Sequence, residues 1–168
     1  MAGFLRIAVA IVIAWVLVVQ VRGCLMTDED HVRALIAHAE DGWNSASARE
    51  TVEPLSDDFV LVPFRQGKSW LRGILFNIYE NNRNPKTHEF LWDANVDWET
   101  IELRFVDPEQ TRAQVRGMIS LQRNDGRTEG NYTGLFGVEA RKHEGEWEIV
   151  SLGLQGLGTS RGRRVRTK

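Results

Sequence analysis

The sequence predicts an α+β domain in which about three helices precede a run of antiparallel strands. Two observations carry this. Apolar residues recur at helical spacing as far as residue 80, and from residue 88 the apolar period switches to two. The alternating segments then follow one another through short turns, as antiparallel strands do. The 168-residue chain is 42% apolar and 26% charged, ordinary for a globular protein. Beyond position 24 about 140 residues are left, enough for one domain with its own core. Residues 1–23, 24–157 and 158–168 read as leader, domain and tail.

Each element follows from local chemistry. Thr27-Asp28-Glu29-Asp30 fits a capping box, and behind it Val32, Leu35, Ile36, Ala39 and Trp43 share one helical face. Ser47-Ala48-Arg49-Glu50 is a second capping box, opening a short helix that Pro54 ends or kinks. Asp57 to Val62 reads as a strand. Residues 68–80 form a third helix with Leu71, Ile74, Leu75 and Ile78 as its stripe, broken by Asn81 to Pro85. From His88 to Trp98, apolar and polar residues alternate, and Ile101, Leu103 and Phe105 continue the pattern to a turn at Asp107-Pro108. Ala113 to Leu121 is the next strand, ended by Asn124-Asp125-Gly126. Tyr132 to Val138 and Trp147 to Leu154 are the last two, joined by a turn at Glu144-Gly145.

The N-terminus suggests location. Arg6 precedes an uncharged apolar run, Ile7 to Val21, which ends at Arg22-Gly23-Cys24. Fifteen residues are short for a membrane span, which needs about 20, and suit a signal-peptide core. The layout resembles a bacterial lipoprotein signal peptide, in which a small residue precedes a lipidated cysteine. Val21 and Gly23 fit that pattern and Arg22 departs from it. Three readings stand: lipidation at Cys24, an uncleaved anchor over 1–23, and an ordinary secretory signal. All place the rest of the chain outside the cytoplasm, facing the periplasm or cell exterior. Cys24 is the single cysteine, so no intrachain disulfide stabilises the fold.

Charge is uneven. Residues 25–160 hold 14 basic and 23 acidic side chains, while five of the last eight residues are basic. An acidic body is a poor nucleic-acid binder. The basic tail lacks apolar periodicity and reads as disordered, suited to solubility or to anionic lipid headgroups.

The order helix, helix, strand, helix, long strands resembles the NTF2-like superfamily, with its SnoaL-like and ketosteroid-isomerase-like proteins, over about residues 28–155. Trp43-Asn44, Ser47, Asp57-Asp58-Phe59-Val60, Gly67 and Gly145-Glu146-Trp147-Glu148-Ile149 carry the resemblance. It implies a cone in which a strongly bent antiparallel sheet wraps the helices around a pocket, and often a homodimer through the sheet's outer face. The superfamily includes isomerases, dehydratases and domains with no chemistry. None of its catalytic roles matches a local motif here.

The expected ligand pocket is Tyr79, His88, Trp92 and Tyr132. Alternation puts His88 on one strand face with Phe90, Trp92 and Ala94, pointing inward, where it is the candidate general base; a satisfied core histidine is the plainer reading. Tyr79 and Tyr132 offer hydroxyls or simply pack. Asp57-Asp58 reads as a turn rather than an acid–base pair. His31 and His38 lack further ligands for a metal site, and no cofactor is expected. Arg112 and Arg116 face away from the apolar side of their strand, for salt bridges, an acidic partner or a dimer. The functional expectation is a membrane-tethered, non-catalytic ligand-binding or assembly module of the bacterial envelope. The alternative is a small SnoaL-like isomerase or dehydratase acting on an apolar cyclic or carbonyl compound.

Overall fold

The computed structural model describes residues 26–62 and 64–155, so the apolar run, Cys24 and the basic tail lie outside the described residues. The elements in chain order are α1 (Asp28–Asn44), α2 (Ala48–Val52), β1 (Leu55–Val62), α3 (Lys68–Asn81), β2 (Trp92–Phe105), β3 (Arg112–Arg123), β4 (Tyr132–His143) and β5 (Glu146–Gln155). The chain divides between His31 and Val32, so the first turn of α1 belongs to one unit and everything after it to the other. Within that first turn, Thr27 Oγ1 accepts from Asp30 N at 3.2 Å and Asp30 Oδ2 accepts from Thr27 N at 2.9 Å, a reciprocal cap. Ser47 caps α2 by accepting from Glu50 N at 3.3 Å.

The five strands form one sheet in the order β1-β5-β4-β3-β2. The expectation of an all-antiparallel sheet needs correction: β1 runs parallel to β5, while the other three pairings are antiparallel. β1 leads into α3 rather than a hairpin turn, and so joins the sheet beside the last strand.

Both faces of β2 and β5 carry apolar residues, and bulges resolve the conflict. Asp97 pairs with Met118 and Glu102 with Arg116, so the residues from Trp98 to Ile101 stand opposite Gly117 alone. The extra residues reverse the parity of the strand, and Ile101, Leu103 and Phe105 reach the same core as Val96. Gly117 makes room: a Cβ there would lie 2.6 Å from Ile101 Cδ1. In β5, Ile149 pairs with Ala140 and Ser151 with Glu139, leaving Val150 unpaired. Trp147 and Ile149 before it, and Leu152 and Leu154 after it, then all pack inward.

The helices close the core from one side. Gly42 of α1 meets α2 so closely that a Cβ would come 2.3 Å from Thr51 N. One turn of α1 also covers an edge of the sheet. Asn44 donates to Ala94 O at 3.0 Å and accepts from Ala94 N at 2.7 Å, and Glu40 Oε1 accepts from Val96 N at 2.8 Å. These side chains give the first half of β2 the partners that a sixth strand would supply.

In α3, Leu71, Leu75, Ile78 and Tyr79 face the core. Ile74 departs from the expected stripe and is exposed, one turn beyond Trp70 on the outward side.

Candidate functional site

The four residues expected to line a pocket are placed very differently. Tyr79 is 2% exposed, with its ring 4.9 Å from Phe90 and 5.6 Å from Trp43 between centroids. Its hydroxyl lies 2.9 Å from Thr51 Oγ1. Thr51 donates its single proton to Ser47 O at 2.8 Å, so Tyr79 is the donor in the shared bond. Burial pushes the Tyr79 phenol up from its ordinary value, and the bond to Thr51 opposes this.

His88 needs correction. It is not in a strand, it does not share the face of Phe90, and it is exposed with φ at +61°. The cause is turn chemistry. Asn84 Oδ1 accepts from Lys86 N at 2.9 Å, His88 N donates to Asn84 O at 2.8 Å, and Arg83 Nη1 donates to His88 O at 3.0 Å. Asn84-Pro85 was the signal, and it outranks the alternation, which begins in structure only at Trp92.

Trp92 is half-buried and covered. The Arg123 guanidinium lies 5.4 Å from its ring centroid, its Nε1 donates to Asn82 Oδ1 at 3.4 Å, and Gly130 allows the β3–β4 turn to pass over it. A Cβ on Gly130 would stand 3.0 Å from the Trp92 ring. Tyr132 is half-buried at the start of β4, in register with Leu121. The structure thus joins Tyr79 to Trp43 and Phe90, sets Trp92 beneath the β3–β4 turn, and leaves His88 on an exposed loop.

The other face of the sheet has a different character. Val60 and Val62 on β1, Met118 on β3 and Leu135 on β4 are exposed there. Val62 is in register with Gly153, Gly153 with Gly137, and Gly137 with Arg116. The two glycines carry no side chain, so the row between Val62 and Arg116 is bare backbone, beside Leu135 and Met118. Charged side chains frame it. Arg141 donates to Asp58 at 3.0 and 3.1 Å and to Glu148 at 3.2 Å, tying β1, β4 and β5 together. These bonds from Arg141 hold the Asp58 carboxyl below its ordinary value. At the opposite side Arg104 Nε donates to Gln114 Oε1 at 3.2 Å, whose amide donates to Glu139 at 3.1 Å. A cavity of about 160 Å³ lies there between Glu102, Arg104, Gln114 and Arg116. Arg112 and Arg116 are both exposed on this face, as expected.

Asp57 and Asp58 are both exposed inside the irregular stretch of β1 between Leu55 and Val60. His38 Nε2 lies 3.3 Å from Glu53 Oε2. Among the described residues no three metal-ligating side chains come together, and no helix is long and apolar enough to cross a membrane.

No protein-family model and no curated protein matches the chain. Solved structures do match. An NTF-2-like protein of unknown function from Shewanella oneidensis superposes with a TM-score of 0.54 at 17% identity, over 76% of this chain and 98% of its own. A Novosphingobium aromaticivorans protein, provisionally named a scytalone dehydratase, matches with a TM-score of 0.57 at 14% identity, covering 74% of this chain and 80% of its own. A Caulobacter vibrioides protein with a cystatin-like fold matches with a TM-score of 0.57 at 18% identity, covering 75% and 87% respectively. At such identities the likeness is one of fold, and the fold of this chain is NTF2-like, α+β, with helices packed on one side of a bulged sheet.

Proposed function

We propose that this chain is a membrane-tethered extracytoplasmic NTF2-like module that works by binding, not catalysis, through the outer face of its sheet. The observation that carries the reading is the group of exposed Val62, Met118 and Leu135 beside the side-chain-free pair Gly137 and Gly153, with charged residues around it. An apolar centre inside a polar rim is the make-up of a recognition surface. The partner is a second copy of the chain or another envelope protein. Residues 1–23, or a lipid on Cys24, supply the attachment.

The test is Leu135→Asp in the full chain, with crosslinking in the membrane fraction. Loss of the crosslinked product, with the unfolding midpoint unchanged, supports the reading. A crosslinking pattern identical to the parent sinks it. The intact mass of the membrane-extracted protein decides separately between lipidated Cys24 and an uncleaved anchor.

One observation favours a second reading, a SnoaL-like isomerase or dehydratase for an apolar carbonyl compound. Trp43 Nε1 is buried with no hydrogen-bond acceptor, beside Tyr79. A small carbonyl ligand would satisfy such a donor. Native mass spectrometry of the purified chain tests this, and a ligand-free mass counts against it.

A further inference from the structure

The third helix carries large apolar side chains on its outward side as well as inward, set among exposed Ser69, Asn77 and Glu80. Leu71, Leu75, Ile78 and Tyr79 already fill its inner side. On its outer side and the turn before it, Phe64 is 57% exposed, Trp70 41%, Ile74 37% and Phe76 60%. Phe64 and Trp70 stack at 6.5 Å between centroids. Gly73 leaves the middle of the face bare, and a cleft of about 700 Å³ runs beside it between Arg49, Arg72 and Phe76.

The charge of this face is as unusual as its apolarity. No acidic residue occurs between Asp58 and Glu80, in a body that holds 23 of them, while Arg65, Lys68 and Arg72 fall in that interval. Lys68 is engaged inward, donating to Leu55 O and lying 3.8 Å from Asp57. Arg49, Arg65 and Arg72 are exposed, and among the described residues they have no ion-pair partner. Glu80, at the far end of the helix, is taken by Arg83 at 3.4 Å.

Exposed Trp and Phe rings interleaved with unpaired Arg match the interfacial layer of an anionic bilayer. The rings suit the acyl boundary and the guanidinium groups suit the phosphates. We infer that the β1–α3 turn and the outward face of α3 dock onto an anionic lipid surface. The proposed N-terminal attachment contributes proximity, and the inference rests on that reading only to that extent. A second copy of the chain is the competing occupant. It fits less well, because two such faces would bring like charges together.

The test places a photoreactive benzophenone at Phe76 (Phe76→p-benzoylphenylalanine) in the full-length chain. The protein is mixed with vesicles of phosphatidylglycerol and phosphatidylethanolamine, irradiated and weighed. The expected product is the chain plus one phospholipid. Its yield falls in phosphatidylcholine vesicles, and falls again in the Arg49→Gln, Arg65→Gln, Arg72→Gln variant, about fivefold for each basic residue lost. Flotation of the same samples reads the N-terminal attachment on its own. Chain that floats without a lipid adduct overturns the docking and leaves the attachment standing. Chain that neither floats nor forms an adduct overturns both. A product of twice the chain mass assigns the face to a second copy and overturns the lipid assignment, as does a lipid adduct indifferent to headgroup charge.

Discussion

The Tyr79–Thr51 contact makes a sharp prediction because its two partners are not equivalent. Thr51 gives its proton to Ser47 O, which also accepts from Thr51 N at 2.9 Å. Tyr79→Phe therefore removes a donor and strands nothing, and it costs about 1 kcal/mol, the usual net value of one hydrogen bond. Thr51→Val leaves the carbonyl of Ser47 satisfied through the backbone. It strands the Tyr79 hydroxyl in a residue that is 2% exposed. A buried hydroxyl without a partner costs about 1–3 kcal/mol, and valine and threonine differ little in helix propensity, so Thr51→Val is the more damaging change. In the Thr51→Val background, Tyr79→Phe becomes neutral or stabilising, because it removes the stranded group. Urea unfolding of the four proteins of the cycle, in one mild detergent, measures this, and it requires a common m-value. Equal costs of Tyr79→Phe in both backgrounds would refute the assignment of Tyr79 as donor.

Two glycines of the same type of element should respond in opposite directions. Gly73→Ala, with nothing within 4 Å of the new Cβ, gains about 0.5–1 kcal/mol of helix stability, whereas Gly42→Ala drives a Cβ into the backbone of Thr51 and destabilises by at least about 1–3 kcal/mol, both seen in thermal unfolding. Asp125 is held at about 2, first by its hydrogen bond with Arg123. Its folded value lies below its unfolded one, so its stabilisation is complete above about pH 4 and is lost as pH falls toward 2. Asp125→Asn flattens that acid limb, and a carboxyl titrating near 4 in the folded protein would contradict the pairing. Asn44→Ala removes both bonds to Ala94 and uncovers part of the β2 edge. We expect a loss of about 1–3 kcal/mol and faster amide exchange at Ala94, against an unchanged rate if the edge is covered some other way.

Where the sequence spoke through local chemistry, it was legible. Thr27 and Ser47 marked two helix starts, Asn124-Asp125-Gly126 and Glu144-Gly145 marked two turns, and the alternation of β3 and β4 gave their buried faces directly. Reading failed where alternation ran through a turn or a bulge. His88 fell on the same parity as Phe90, yet Asn84 folds the chain back before any strand begins. In β5, apolar residues at both parities looked two-sided, because the unpaired Val150 that brings them to one side leaves no mark in composition. Ile74 fell within reach of the helical stripe, and only packing shows that Leu75 and Tyr79 had already filled the interior. The outward face of α3 did leave a trace in sequence: an acid-free stretch with Phe64, Trp70 and Phe76 among arginines. That trace gains meaning only once Trp70, Ile74 and Phe76 are seen to be exposed on the helix while Leu75 and Tyr79 fill its inner side.

The parallel pairing of β1 with β5 constrains the order of events during synthesis. In the sheet, β1 has no neighbour except the final strand, and Leu55 waits for Ile149, while Asn44 of α1 waits for Ala94. The β1 end of the sheet cannot be completed until the last hairpin has emerged, and such distant pairings slow folding. The strand that closes the sheet is the last described element to leave the ribosome, so every earlier element, β1 above all, must stay open to late partners until synthesis of the domain is nearly done.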